Sequence, residues 1–290
     1  MPVLKAILLG FIQGVTSLLP VSSSGHVVLI SKLLGVDGST SLKFLSLLHI
    51  GTLCAVCIRF RRDIRRLFKG FSEVLQDSIR NLRILIGNIR SPEKGDYRRV
   101  LNTVYGRFSI MLCISMIPSI LAALGLRKLV EAQAANLLVT GIGFTVTALI
   151  LFITSFSDRK NRQPSHTRFR EAALIGIAQG ISVFPGVSRV GMVMTCTEFL
   201  GFSKKYVVKY TMLLGIPAML GAVIAEAFST GVSLADTVGI GSCIAGVLTA
   251  AVISWFMLRI AEKLLTVQAN RIFAVYSLLM GIASVAVYMN

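Results

Sequence analysis

The chain has 290 residues, 54% of them hydrophobic and 15% charged, and its mean hydropathy of +0.76 belongs to a protein whose solvent is largely hydrocarbon. A net charge of +17 would suit a nucleic-acid binder, but the cations gather beside apolar runs, at Arg59, Arg61, Arg62, Arg65, Arg66 and Lys69 and again at Arg159, Lys160, Arg162, Arg168 and Arg170. That is the positive-inside pattern of a membrane protein, and it excludes nucleic acid as the partner.

In chain order, residues 1–9 carry one Lys and no cleavage pattern before the polar stretch Gly10 to His26, so no removable signal peptide is expected. Spanning helices are expected at 42–58, 104–126, 134–156, 207–228, 235–258 and 272–288. The basic segment 59–99 and the segment 157–170 are too polar to cross; placing both in the cytoplasm orients every crossing and leaves both termini outside. Within 59–99, Phe68, Phe71, Val74, Leu75 and Ile79 recur near helical spacing, which reads either as an amphipathic helix on the inner surface or as an ordinary solvated helix. Cys54, Cys57, Cys113, Cys196 and Cys243 lie in or beside apolar segments without metal-type spacing and read as packing residues.

The chain also repeats itself. A gapless shift of 166 positions pairs Ala6 with Ala172, Gly10 with Gly176, Gln13 with Gln179, Gly14 with Gly180, Val21 with Val187, Ser22 with Ser188 and Gly25 with Gly191. It continues through Leu34 with Leu200, Gly35 with Gly201, Lys43 with Lys209, Leu47 with Leu213, Leu48 with Leu214 and Ile50 with Ile216, about a third of some 45 positions. The first copy precedes a crossing from outside to inside and the second precedes one in the opposite sense, so the repeats, 6–58 and 172–228, are expected to be inverted. In each copy the helices flanking the turn are about a dozen residues long, too short to cross, which predicts re-entrant hairpins. The expected fold is an all-α polytopic membrane protein, one domain over 1–290, with six transmembrane helices and two inverted hairpins whose tips meet near the midplane.

The tips are rich in anion-binding groups. Ser22, Ser23, Ser24 and Gly25 open one half-helix, and Ser188, Arg189 and Gly191, after Gly186, open the other, so hydroxyls and backbone N–H groups converge where helix dipoles are positive. An unpaired Arg189 at membrane depth costs at least about 2.5 kcal/mol, which a phosphate would offset; a carboxylate or a helix C-terminus is the structural alternative. His26 follows the Ser-Ser-Ser-Gly turn and could act as base, acid or nucleophile. His49, inside a crossing, reads more weakly, and His166 in the basic loop reads as solvated.

Gln13-Gly-Val-Thr-Ser-Leu-Leu-Pro-Val-Ser-Ser-Ser-Gly-His26 and Pro185-Gly-Val-Ser-Arg189 resemble the two signature motifs of the bacterial undecaprenyl-pyrophosphate phosphatases of the bacitracin-resistance type, over nearly the whole chain. The resemblance implies six spanning helices, two inverted re-entrant hairpins and an outward-facing pocket in the bacterial cell membrane. It also implies removal of the terminal phosphate of undecaprenyl pyrophosphate, with a divalent cation (Mg or Ca), for recycling of the cell-wall lipid carrier. Carried over, Ser23 is the nucleophile, His26 a base or alternative nucleophile, and Ser188 with Arg189 the pyrophosphate clamp. Gln13 stands where the family accepts Glu or Gln, the one candidate metal ligand; Ser22, Ser24, Gly25, Gln179, Gly186 and Gly191 complete the binding set.

Two positions depart from the pattern. Ser17 replaces a glutamate and Val193 a threonine, which removes a metal ligand or base and a phosphate-contacting hydroxyl. Glu198 and Glu226 lie in apolar segments; Glu198 is the shift partner of Lys32, which suggests a structural ion pair between the hairpins. The leading function is therefore the phosphatase. The competing one is a polyprenyl-phosphate transporter or lipid-carrier binding protein, with the bilayer and, as a homodimer, a second copy of the chain as further partners.

Overall fold

The computed structural model describes residues 1–90, 95–157, 161–163, 167–228 and 234–290. Arg159, Lys160 and His166, named above, lie outside the described residues. The chain runs α1 (Val3–Thr16), α2 (Ser23–Leu33), α3 (Gly38–Arg59), α4 (Arg61–Arg90), α5 (Val104–Gly125), α6 (Arg127–Gln133), α7 (Leu137–Thr154), α8 (Phe169–Ile181), α9 (Arg189–Phe199), α10 (Lys204–Ala227), α11 (Leu234–Thr237), α12 (Ile240–Leu264) and α13 (Asn270–Met289). The only strand-like pairing among the described residues is a single bridge, Arg162 to Phe202.

Six of these helices, α3, α5, α7, α10, α12 and α13, are long and apolar enough to cross a bilayer. Five match the expected spans to within a few residues, but the expected start at 235 does not hold. Gly239 at φ +87° breaks the chain there, α11 stands alone as one turn, and α12 starts at Ile240 and runs on to Leu264. Most of the basic stretch forms the helix that the spacing of its apolar residues predicts, α4: Val74 is buried, Gly70 lies against Gly106 of α5, and Phe68, Phe71, Leu75 and Ile79 are exposed on the same side.

α1 and α2, with 14 and 11 residues, form one helical pair, and α8 and α9, with 13 and 11, form the other. At 1.5 Å per residue none exceeds about 21 Å, short of the roughly 30 Å hydrocarbon core. The pairs start from opposite ends of the bundle. The N-terminal amine at the head of α1 donates to the Thr237 and Val238 carbonyls (3.1 and 3.2 Å), whereas Glu171 in the first turn of α8 pairs with Arg162 (2.9 Å). The Arg162 end is also the basic end, where Arg59 meets Glu262 (2.8 Å) and Lys209 meets Asp63 (2.5 Å).

Both pairs are clamped in the same way. A Cβ on Gly10 would strike the Gly246 carbonyl of α12, and one on Gly14 would stand 2.7 Å from Ile253 Cβ. The shift partners repeat this against α5, Gly176 on the Ser115 carbonyl and Gly180 at 2.8 Å from Ala122 Cβ. Only glycine allows backbones so close, which is why these four positions read alike in the two copies.

Glu198 does not pair with Lys32. It accepts from Asn270 Nδ2 (2.8 Å) at the basic end, while Lys32 closes α2 near Leu34, whose carbonyl binds Lys5 (2.5 Å) at the other end. Opposite chain directions separate the two shift partners by the depth of the bundle.

Candidate functional site

The turns of the two helical pairs meet. A Cβ on Gly25 would stand 2.6 Å from Phe144 Cζ and 3.0 Å from Gly186 Cα, so this approach depends on a missing side chain, while one on Gly191 would lie 3.5 Å from the Pro20 carbonyl, in ordinary contact across the two turns. Gly186 holds φ +85° against α7, where Thr147 Oγ1 donates to the Gly186 carbonyl (2.9 Å) and accepts from Ser188 N–H (2.9 Å). Ser22 and Ser188 cap the half-helices, their hydroxyls accepting from Gly25 N–H (3.3 Å) and Gly191 N–H (3.0 Å). Ser22 itself sits at φ +64°, a strained value for a residue with a side chain.

Over these turns opens a cavity of about 520 Å³. Its inner end gathers Ser22, Ser23, Ser24, Ser188, Arg189 and Gln179, six of the residues expected from the sequence. Arg189 has no ion-pair partner among the described residues, and its Nε is buried without a hydrogen bond. Gln179 is 4% exposed; its Nε2 donates to Ser119 Oγ (3.3 Å) while Oε1 is unpartnered. A guanidinium whose buried Nε is unsatisfied, in a cavity lined by serine hydroxyls, forms a site for an oxyanion. Towards the mouth the walls become apolar, with Ile120 and Leu124 of α5 facing Pro217, Ala218 and Ala222 of α10, and the rim carries the Arg127–Glu131 pair (2.6 Å). The shape and polarity suit an amphiphile with an anionic head.

Other expected residues lie elsewhere. Gly25, Gly186 and Gly191 shape the turns without lining the cavity. Gln13 is fully buried with both amide atoms unpartnered and is not part of the lining. His26 is turned away: its Nδ1–H donates to the Ser22 carbonyl (2.7 Å), its Nε2 accepts from Tyr276 (2.7 Å), and its ring stacks on Tyr276 and meets Phe144 edge-on. The structure does not bring His26 to the cavity. In its place His49 lines the wall, with Nδ1–H donating to the Leu45 carbonyl (2.8 Å).

The two departing positions also differ from each other. Ser17 lines the cavity, its hydroxyl 3.4 Å from Thr52 Oγ1, which accepts from Ser254 (3.1 Å). Val193 is fully buried in the apolar core with Val190 and Met194 and does not reach the cavity. Glu131 is the only carboxylate among the described lining residues, and it is held at the rim by Arg127. An inner end of amide, hydroxyls and one guanidinium does not fit a hard divalent cation, which needs carboxylate oxygens.

With this geometry in place, the chain matches the family model described as bacitracin resistance protein BacA over residues 6–283, and it belongs to that family. Among curated relatives, it is 31% identical to an undecaprenyl-diphosphatase of Methanosphaera stadtmanae, covering 98% of this chain and 97% of the relative. It is 29% identical to one of Korarchaeum cryptofilum (98% of each chain) and 30% identical to one of Treponema denticola (97% and 96%).

Proposed function

We propose that this member of the BacA family is a membrane phosphatase that removes the terminal phosphate of undecaprenyl pyrophosphate, so that the lipid carrier can return to cell-wall synthesis. The observation that carries the reading is that the unpaired Arg189 and the unpartnered Gln179 Oε1 share with Ser22, Ser23, Ser24 and Ser188 the lining of a cavity with apolar walls. The pyrophosphate sits at the inner end and the polyprenyl chain leaves between α5 and α10. The cavity opens at the end away from the basic loops, hence to the outer face of the cell membrane, and the two helical pairs are re-entrant hairpins.

In this reading Arg189, Ser188 and the positive dipoles of the two half-helix N-termini stabilise charge on the phosphoryl oxygens, and Ser23 is the nucleophile. Ser23 Oγ lines the cavity and makes no hydrogen bond to a described residue. His26 acts as a positioning residue through the Ser22 carbonyl. A divalent cation arrives on the pyrophosphate's own oxygens, and no step runs through a protein-held metal.

Purified protein is expected to release inorganic phosphate from undecaprenyl pyrophosphate, and Arg189→Ala to abolish both release and binding of polyprenyl monophosphate. Unchanged binding and turnover in Arg189→Ala would misplace the site. A second reading, a polyprenyl-phosphate transporter, is favoured by Ser17 standing where the resemblance expects glutamate; binding without any phosphate release would support it.

A further inference from the structure

Within the cavity the reaction lacks an evident proton acceptor. Glu131 is tied to Arg127 at the rim, Ser17 carries no base, and His26 has both nitrogens engaged with Ser22 and Tyr276. His49 is different. A carbonyl can only accept, so the bond to Leu45 puts the proton on Nδ1 and leaves the Nε2 lone pair without a partner among the described residues.

The repeat register says where that imidazole lies. Under the shift of 166, His49 corresponds to Gly215 and Ser23 to Arg189. In the second copy the Arg189 guanidinium packs directly over Gly215: a Cβ there would stand 3.6 Å from Nε and 3.7 Å from Cζ. In the first copy the sizes are exchanged. By that register the pair Ser23 and His49 is the counterpart of Arg189 and Gly215, with the short side chain on the half-helix and the long imidazole on the spanning helix. Both line the same cavity.

Resting on the phosphatase reading, we propose that His49 is the general base and acid of the reaction. Ser23 Oγ–H gives its proton to His49 Nε2 as Oγ bonds to the terminal phosphorus and the bond from phosphorus to the bridging oxygen breaks. The imidazolium returns that proton to the departing lipid phosphate. Water then attacks the phosphoserine, His49 takes one water proton, and that proton passes to Ser23 Oγ as the serine–phosphorus bond breaks and inorganic phosphate leaves. Arg189 from α9 is the charged group at the inner end with His49, and Arg127 and Glu131 from α6 are the charges at the rim; among the described lining residues no other side chain carries a charge.

The test uses full-length protein in detergent or nanodiscs with undecaprenyl pyrophosphate. His49→Gln is expected to lower kcat on the order of a hundredfold or more while polyprenyl monophosphate binding stays within about threefold. The acid limb of the kcat/KM profile, where the imidazole of the native chain takes up a proton, should vanish in His49→Gln. Added imidazole should restore part of the turnover of His49→Ala. The proposal is overturned if His49→Gln keeps turnover within about fivefold of native, or loses binding in proportion to turnover. Failure of the native chain to release phosphate under any divalent-ion condition would instead remove the phosphatase reading, and this proposal with it.

Discussion

Replacing His26 by alanine separates two roles that the motif alone cannot tell apart. The side chain is 4% exposed and holds two hydrogen bonds of 2.7 Å, to the Ser22 carbonyl and to Tyr276, besides ring contacts with Phe144 and Tyr276. At about 1 kcal/mol per buried hydrogen bond, and about 0.5 kcal/mol for each ring pair, His26→Ala should destabilise the fold by about 3 kcal/mol. Tyr276→Phe deletes the bond to Nε2 alone and should cost about 1 kcal/mol. The assay is denaturant unfolding of the solubilised protein, read beside phosphate release. Because the Nδ1 bond supports Ser22 at its positive φ, turnover should fall in step with the loss of stability, and Tyr276→Phe should show a smaller loss of both. If His26→Ala unfolded like the native chain yet lost all turnover, the imidazole would be acting on substrate and the positioning role would be refuted.

Three further outcomes are expected. Ser17→Glu places a carboxylate on the cavity wall next to Thr52 and should make phosphate release markedly more dependent on Mg²⁺, whereas Val193→Thr buries a hydroxyl in the core and should cost about 1–3 kcal/mol with no gain in rate; metal titrations and unfolding curves read the two. Gly176→Val drives a side chain into the Ser115 carbonyl and Pro118 Cγ (2.7 Å) and should cost about 1–3 kcal/mol or more, while Gly87→Ala, with open space around it, should stabilise by about 0.5–1 kcal/mol, both measured by unfolding. Partial burial raises the Asp63 carboxyl, but hydrogen bonds from Lys209 and Tyr105 and the charges of Lys209 and Arg66 outweigh it and hold the group below its ordinary value. Its contribution is therefore present above the ordinary value of 3.8 and is lost as pH falls through the lower folded value; thermal unfolding between pH 5 and pH 2, roughly the window of a paired aspartate, should show a steeper acid loss for native protein than for Asp63→Asn.

Much of this molecule is written in local pattern. Apolar run length located the six long helices, and repetition of Gly10, Gln13, Ser22 and Gly25 at a fixed spacing marked both turns, because each of those residues answers a local demand for close approach or capping. The places where the sequence misled depend on contacts made across the chain. His26 is drawn away from the cavity by Tyr276, 250 residues later, and no spacing within the motif reveals that. Val193 follows Arg189 by one turn yet lies in the core, because α9 packs against α7, α8 and α10 together and that environment is made by distant parts of the chain. The shift that aligns the motifs also sets His49 against Gly215, a large-for-small exchange mirrored by Ser23 and Arg189, so the proposed role of this imidazole rests on the repeat rather than on the motif.

The glycine seams have a consequence for assembly. The seam of α1 is closed by α12, from the far half of the chain, and that of α8 by α5, from the near half, so the two halves interlock like clasped hands. A chain cut in the segment between α7 and α8 would yield two fragments, each with an uncovered glycine groove and a hairpin lacking its brace. Neither fragment can bury its own groove, but each carries the helix that fills the other's, so the pair should assemble when coexpressed in opposite orientations while either alone is degraded.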